Sequence, residues 1–153
     1  MISFGMRVIS KDMALIISVG SGTISDLGKY PASEDVIDFW SMPTAPSMNG
    51  YTSGIAAIKV KGVKCTLPAT PPQRLYVLPK VVEEAPLKLR QSGFCDVLAK
   101  VVSDVDWQSE SLLFSDSYCA LPSAMMAEVE QSYSEHPEEI GRGDKQAIEG
   151  LFH

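Results

Sequence analysis

Three things are scarce in this chain of 153 residues: histidine, with two copies; cysteine, with three; and clustered positive charge. Lys and Arg number 13 against 19 Asp and Glu, the net charge is −6, and no basic run occurs. Without such a run the electrostatic footprint of a nucleic-acid binder is missing, and no nucleic-acid partner is expected. Cys65, Cys95 and Cys119 are odd in number and none lies in a C-x-x-C pair. That argues against a disulfide framework and against a cysteine zinc site. All three read as small, half-buried hydrophobes. The apolar runs are far shorter than a bilayer-spanning helix, and the first residues lack a signal-peptide pattern. The expectation is a soluble, cytoplasmic protein with no membrane insertion. No internal repeat or low-complexity tract is present.

What is there is ordinary in bulk. Hydrophobic residues make up 45% and charged residues 21%, as in a globular domain. The length suffices for one domain with a real core and is short for a two-domain enzyme.

The first informative stretch is "VGSGTISDLGKY", Val19 to Tyr30, preceded by the apolar run "ALIIS". A short apolar run ending in glycines reads as a buried parallel strand. The residues after it have helix spacing, with Ile24, Leu27 and Tyr30 expected on one face. A strand, a glycine turn and a helix aim the helix N-terminus at whatever sits above the turn. The turn reads G-S-G-T and lacks the third glycine of the full dinucleotide fingerprint. On its own it leaves a phosphate or dinucleotide site and a plain tight turn both open.

Residues 14 to 79 mix short apolar runs with Gly, Pro, Ser and Thr, the texture of strands and loops. "KVKGVK", Lys59 to Lys64, reads as a hairpin around Lys61 and Gly62. From Glu83 onward the apolar residues fall at three- and four-residue spacing, so the pattern is helical. "PSAMMAEVEQSY" is a further helix with Pro122 near its first turn. "GDKQAIEGLFH" starts a last one with Asp144 as N-cap. The expected join lies near Ala85 and Pro86. A strand that comes almost at once, and a last helix that stops soon after Leu151 and Phe152, point to a piece of a larger enzyme.

A second motif is more specific. "MPTAPSMNGYTSGIAAI", Met42 to Ile58, carries P-T-A-P-S-M-(D/N)-G-Y-x-S. This pattern resembles the glycerol-1-phosphate dehydrogenases, particularly their bacterial branch. They belong to the superfamily of iron-containing alcohol dehydrogenases, glycerol dehydrogenases and dehydroquinate synthases. "VGSGTISDLGKY", "GVKCTLPATPP", "APLKLRQSGFCDVLAK", "DVDW" and "SYC" match in the family's order, so the resemblance runs from Ala14 to the end.

The resemblance implies an α/β fold. Part of a Rossmann-like nucleotide-binding domain (1–85) would be followed by the first helices of an all-α metal-binding domain (86–153). It implies NAD(P)-dependent, metal-dependent reduction of dihydroxyacetone phosphate to sn-glycerol 1-phosphate. The substrate would be a phosphorylated triose, and a homo-oligomer is one possible assembly. Family members have the two-domain size, about twice this length or more, so this chain resembles their middle portion.

Residue by residue, the resemblance places Gly20, Ser21, Gly22, Thr23, Ile24, Ser25 and Asp26 at the dinucleotide pyrophosphate. The physics agrees for the turn: glycines permit close approach, Thr23 can donate a hydroxyl, and the helix N-terminus favours negative charge. Asp26 fits a phosphate poorly and reads equally as a first-turn dipole partner. Thr44, Ala45, Pro46 and Ser47 resemble the second cofactor loop. Pro43 and Pro46 stiffen it, and its hydroxyls can reach ribose or nicotinamide. Ser53 matches another cofactor contact. The plain alternative for these hydroxyls is turn capping. Asn49 matches a substrate position where many members carry Asp; the amide keeps an acceptor oxygen and loses the charge.

Asp96 matches the family's carboxylate metal ligand and, through it, a catalytic and substrate-binding position. A carboxylate beside two imidazoles can hold zinc, nickel or iron. Cys95 stands where many relatives have Gly. The family's two histidine ligands come from later segments. "SEHP" around His136 looks superficially like the metal segment, but it falls too early and Pro137 stops a helix there. His153 ends the chain. Two alternatives remain: a related polyol or glycerol dehydrogenase, which Asn49 keeps open, and a non-catalytic truncated remnant.

Overall fold

The computed structural model describes residues 13–115, 117–135 and 137–152, and for 128–135 the backbone. His136 and His153 lie outside the described residues. The chain forms two compact units. One takes the residues up to Ala45 and Gly50–Leu78; the other takes Pro46–Asn49 and the residues from Pro79 onward. The two units part at Leu78 and Pro79, and the short helix after that point lies with the helical unit. The fold is the mixed α/β one that the sequence implies.

The first unit has a parallel sheet in which β2 (Asp38–Pro43) lies between β1 (Leu15–Gly20) and β5 (Arg74–Leu75). Helix α1 (Gly22–Glu34) follows β1 and covers one face. The residues that meet the sheet are small. Ser25 and Ser41 share a 3.1 Å hydroxyl contact, and Ser18 donates to Ser41 over 3.4 Å. A Cβ on Gly28 would fall 2.8 Å from Cε2 of Phe39. Close approach of helix to sheet excludes large side chains there.

This overturns the expected apolar face of α1. Its buried stripe is Gly22, Ser25, Asp26, Lys29 and Ala32, while Ile24 is 46% exposed. Beyond Glu34 the chain reverses. Ile37 N–H bonds to the carbonyl of Ala32 (2.9 Å), and Val36 between them takes a left-handed φ of 54°. That is a Schellman ending with a β-branched residue where glycine is usual.

β3 (Ile55–Val60) and β4 (Val63–Pro68) make an antiparallel hairpin in the register Val60↔Val63 to Ile55↔Pro68. Its turn residues are Lys61 (φ 49°) and Gly62 (φ 87°). Two positive φ values suit the right-handed strand twist, and the hairpin lies where the sequence placed it.

The helical unit contains α2 (Pro79–Glu83), the 28-residue α3 (Leu87–Phe114), α4 (Ala120–Glu135), α5 (Pro137–Arg142) and α6 (Lys145–Gly150). Val97, Ile140 and Leu151 form its core, with Phe94 and Ala147 against them. Asp144 caps α6 as expected, accepting from the N–H groups of Gln146 and Ala147 at 2.9 and 3.1 Å. Arg90 ties α3 to its neighbours by donating to the carbonyls of Glu83 (3.0 Å) and Gly141 (3.2 Å). Cys65 is half-buried; Cys95 and Cys119 are exposed, contrary to their reading as half-buried hydrophobes. Both sit on the outer sides of their segments, where no core needs them. Among the described residues no helix is long and apolar enough to cross a membrane.

Candidate functional site

β1 and β2 are parallel neighbours in register, so their carboxyl ends, Gly20 and Pro43, finish side by side. Segments leaving such an edge are where open α/β sheets carry ligand loops. The first segment is Gly20-Ser21-Gly22-Thr23. Ser21 stands at the N-cap of α1 in an extended conformation, with no side-chain cap. Its carbonyl accepts the N–H groups of Ile24 (3.0 Å) and Ser25 (3.1 Å). Gly20 is needed for close approach: a Cβ there would meet the Cβ of Ile24 at 2.6 Å. Thr23 and Ile24 are exposed on the first turn.

The second segment begins at Thr44, whose N–H donates to the carbonyl of Gly20 over 3.2 Å. The buried phenol of Tyr51 donates to the carbonyl of Ala45 over 2.7 Å. The glycine turn and the start of the second segment are thus bonded to each other, and Tyr51 holds Ala45 within it. Sequence reasoning assigned no role to Tyr51, although it lies inside the quoted motif.

Ser25 and Asp26 are placed elsewhere than the mouth of the turn. Ser25 is fully buried against Ser41. Asp26 lies in the second turn of α1, beyond the reach of a first-turn dipole role. Its Oδ2 accepts the N–H of Ala57 (3.1 Å) and its Oδ1 stands 3.6 Å from Nζ of Lys29. Burial pushes the Asp26 carboxyl up, opposed by the Ala57 N–H and by Lys29. Burial likewise pushes the Lys29 ammonium down, opposed by Asp26. The carboxylate braces the fold and does not face the turn. Ser53 is half-buried, and its hydroxyl lies 2.8 Å from the Gly50 carbonyl within its own turn.

In the helical unit, Pro46–Asn49 seats on α3. A Cβ on Gly93 would fall 1.8 Å from the carbonyl oxygen of Pro46, so only glycine fits beneath that loop. One turn further on, Asp96 is exposed, and its Oδ2 accepts the main-chain N–H of Asn49 over 2.9 Å. The structure therefore brings together Asn49 and Asp96, the two residues expected at the substrate. Ser47 is half-buried in the same segment. Asp96 offers one carboxylate; among the described residues no group of three His, Cys, Asp or Glu is gathered to hold a metal ion. The described donor set does not by itself make a metal site.

Residues 2–86 match the family model described as iron-containing alcohol dehydrogenase. The chain belongs to the iron-containing alcohol dehydrogenase family. Its relatives include proteins named glycerol-1-phosphate dehydrogenase (NAD(P)+). The one from Geobacillus stearothermophilus is 33% identical over 141 residues, 92% of this chain and 35% of the relative. The one from Bacillus licheniformis is 34% identical over the same shares. The chain spans about a third of the length of these curated relatives. The crystal structure of glycerol dehydrogenase from Schizosaccharomyces pombe covers 94% of this chain, using 39% of its own, with a TM-score of 0.74 at 21% identity. That likeness shows the iron-containing alcohol dehydrogenase fold.

Proposed function

We propose that this chain carries the central part of an NAD(P)-dependent dehydrogenase acting on a phosphorylated triose, with sn-glycerol 1-phosphate formation as the reaction. The observation that supports this best is the Thr44 N–H on the Gly20 carbonyl. It holds Thr44, the first residue of the T-A-P-S segment, beside the glycine turn at the carboxyl ends of two parallel strands, where open α/β sheets carry ligands. In this reading the first turn of α1, with Ser21, Gly22 and Thr23, receives the pyrophosphate through main-chain donors and the helix dipole. Thr44, Ser47 and Ser53 serve the ribose and nicotinamide side, and the bound nicotinamide supplies hydride. Asn49 and Asp96 serve the substrate. Asp96 would be one ligand for a divalent metal (zinc, nickel or iron), with the remaining ligands coming from outside the described residues.

Asn49 favours a second reading, a related polyol dehydrogenase. Asn49 meets Asp96 through its main-chain N–H, and its uncharged side chain leaves one carboxylate where a family Asp would give two.

Titration of the chain with NADH and with ADP-ribose tests the dinucleotide assignment. Thr23→Glu places a negative charge on the exposed first turn, where the helix dipole welcomes it. Melting temperature is expected to hold while affinity for both probes falls by about tenfold or more. Equal binding by the variant, or no binding by the parent chain, overturns the assignment.

A further inference from the structure

Lys29 is 0% exposed, an environment lysine almost never occupies without partners. Its ammonium donates to the carbonyls of Gly50 (2.9 Å) and Ile55 (3.1 Å), and the Ser53 hydroxyl lies at 3.5 Å. Asp26 supplies the countercharge at 3.6 Å. The three oxygens come from the two ends and the middle of one short segment, which begins with the 3-10 turn Gly50–Thr52 and enters β3 at Ile55. An ammonium is a compact charge with three donors, so one group gathers both ends of the loop and its central hydroxyl. The guanidinium of arginine, a planar fork, does not match acceptors grouped around a point.

We infer that Lys29 is a positioning residue: paired with Asp26, it closes the Gly50–Ile55 loop and sets where Ser53 stands. Asp26 does the same for the next stretch by holding the Ala57 N–H. The pair thereby fixes the loop to α1, the helix whose first turn borders the glycine segment. Burial disfavours both charges, which lowers the lysine's proton affinity and raises the carboxyl's. The pair persists because each charge is met by the other and by main-chain groups. The consequence for cofactor binding rests on the dinucleotide reading above; the holding of the loop does not.

The test compares the parent chain, Lys29→Met, and the double variant Asp26→Asn with Lys29→Met. The single variant leaves Asp26 buried and unpaired, so its fold is at risk. The double variant removes both charges and keeps the volume, so its melting temperature is expected to return towards that of the parent. Hydrogen exchange at the amides of Ser53, Ile55 and Ala57 is nevertheless expected to rise about tenfold or more in the double variant. Exchange in β1 and β2 is expected to hold. NADH affinity is expected to stay about tenfold weaker despite the recovered melting temperature, a split that a purely structural role does not produce. Unchanged exchange at those three amides overturns the inference. So does full recovery of NADH affinity in the double variant. If the parent chain binds no NADH while the loop amides still lose protection, the dinucleotide reading fails and the positioning of the loop stands.

Discussion

The main-chain N–H of Asn49 donates to Oδ2 of Asp96 over 2.9 Å, while Gly93, one turn earlier on α3, makes room for the carbonyl of Pro46. The two contacts register the same loop on the same helix face, because residues three apart on a helix are neighbours. The bond uses the backbone of Asn49, so it depends on the path of the loop and leaves the amide side chain for other work.

Gly93→Ala tests that registration. In an open helix position, Gly to Ala is favourable by about 0.5–1 kcal/mol. Here the added Cβ would stand 1.8 Å from a backbone oxygen, and a backbone does not give way cheaply. Overpacking of this kind costs about 1–3 kcal/mol, so the sign is expected to reverse. Urea denaturation should show a lower midpoint, and the Asn49 amide should lose its protection from exchange. A stabilised variant with that amide still protected would show that the loop is free to lift.

Val36→Gly is expected to stabilise. Val36 is 92% exposed and sits at a φ of 54°, so no packing is lost. The left-handed conformation costs an L-residue about 1–2 kcal/mol, and more when the side chain is β-branched. Part of the relief is offset by the greater freedom of glycine in the unfolded chain. A net gain of about 0.5–1 kcal/mol remains, measurable as a rise in melting temperature. A fall would mean that the reversal after α1 does not need the left-handed residue.

The β3–β4 hairpin gives a converse case. A Cβ on Gly62 meets nothing within 4 Å, so Gly62→Ala is opposed by backbone conformation alone. The expected loss is about 1 kcal/mol, again read from urea midpoints. Lys61→Asn, the residue that this turn favours at its first position, is expected to move stability slightly the other way.

What was legible in the sequence follows from these cases. The hairpin, the existence of the strand before the glycine turn and the cap at Asp144 are local choices, written in residues adjacent in the chain. The burial expected of that strand is not met, since Ile17 is 52% and Val19 58% exposed on the sheet face that α1 leaves open. The T-A-P-S and G-S-G-T segments were legible as motifs. The buried face of α1 was not. Its stripe at 22, 25, 26, 29 and 32 has helical spacing, but it is built of small and charged residues. Hydrophobicity therefore pointed to Ile24, Leu27 and Tyr30. The close approach demanded by Gly28 and Phe39 selects size over apolarity, and Lys29 is tolerated because Asp26 and oxygens from residues 50 to 55 meet it. Such partners are distant in sequence, and nothing local announces them. The same holds for Gly93, whose need for glycine comes from a carbonyl 47 positions away.

The acid behaviour of the α3–α4 junction provides the last test. The Asp104 carboxylate accepts hydrogen bonds from the hydroxyl of Ser123, from Nε2 of Gln108 (2.8 Å) and from the phenol of Tyr118 (3.1 Å). Trp107 stacks edge-on against Tyr118 with ring centroids 4.8 Å apart and donates to the carbonyl of Ser117. The Ser123 hydrogen bond, against a smaller effect of burial and with help from Tyr118 and Gln108, holds the Asp104 carboxyl below its ordinary 3.8. A carboxyl lower in the folded than in the unfolded chain binds its proton later in the folded state. Its stabilisation is therefore complete above about pH 4 and disappears as pH falls through the folded value. In a Trp40→Phe background, Trp107 alone reports on the junction, since the chain has two tryptophans. The difference in unfolding midpoint between Asp104 and Asp104→Asn is expected to be constant from about pH 7 to pH 5 and to shrink below about pH 4. A difference that persists undiminished to about pH 2, or that widens on acidification, would mean the charged carboxylate is not what joins α4 to α3.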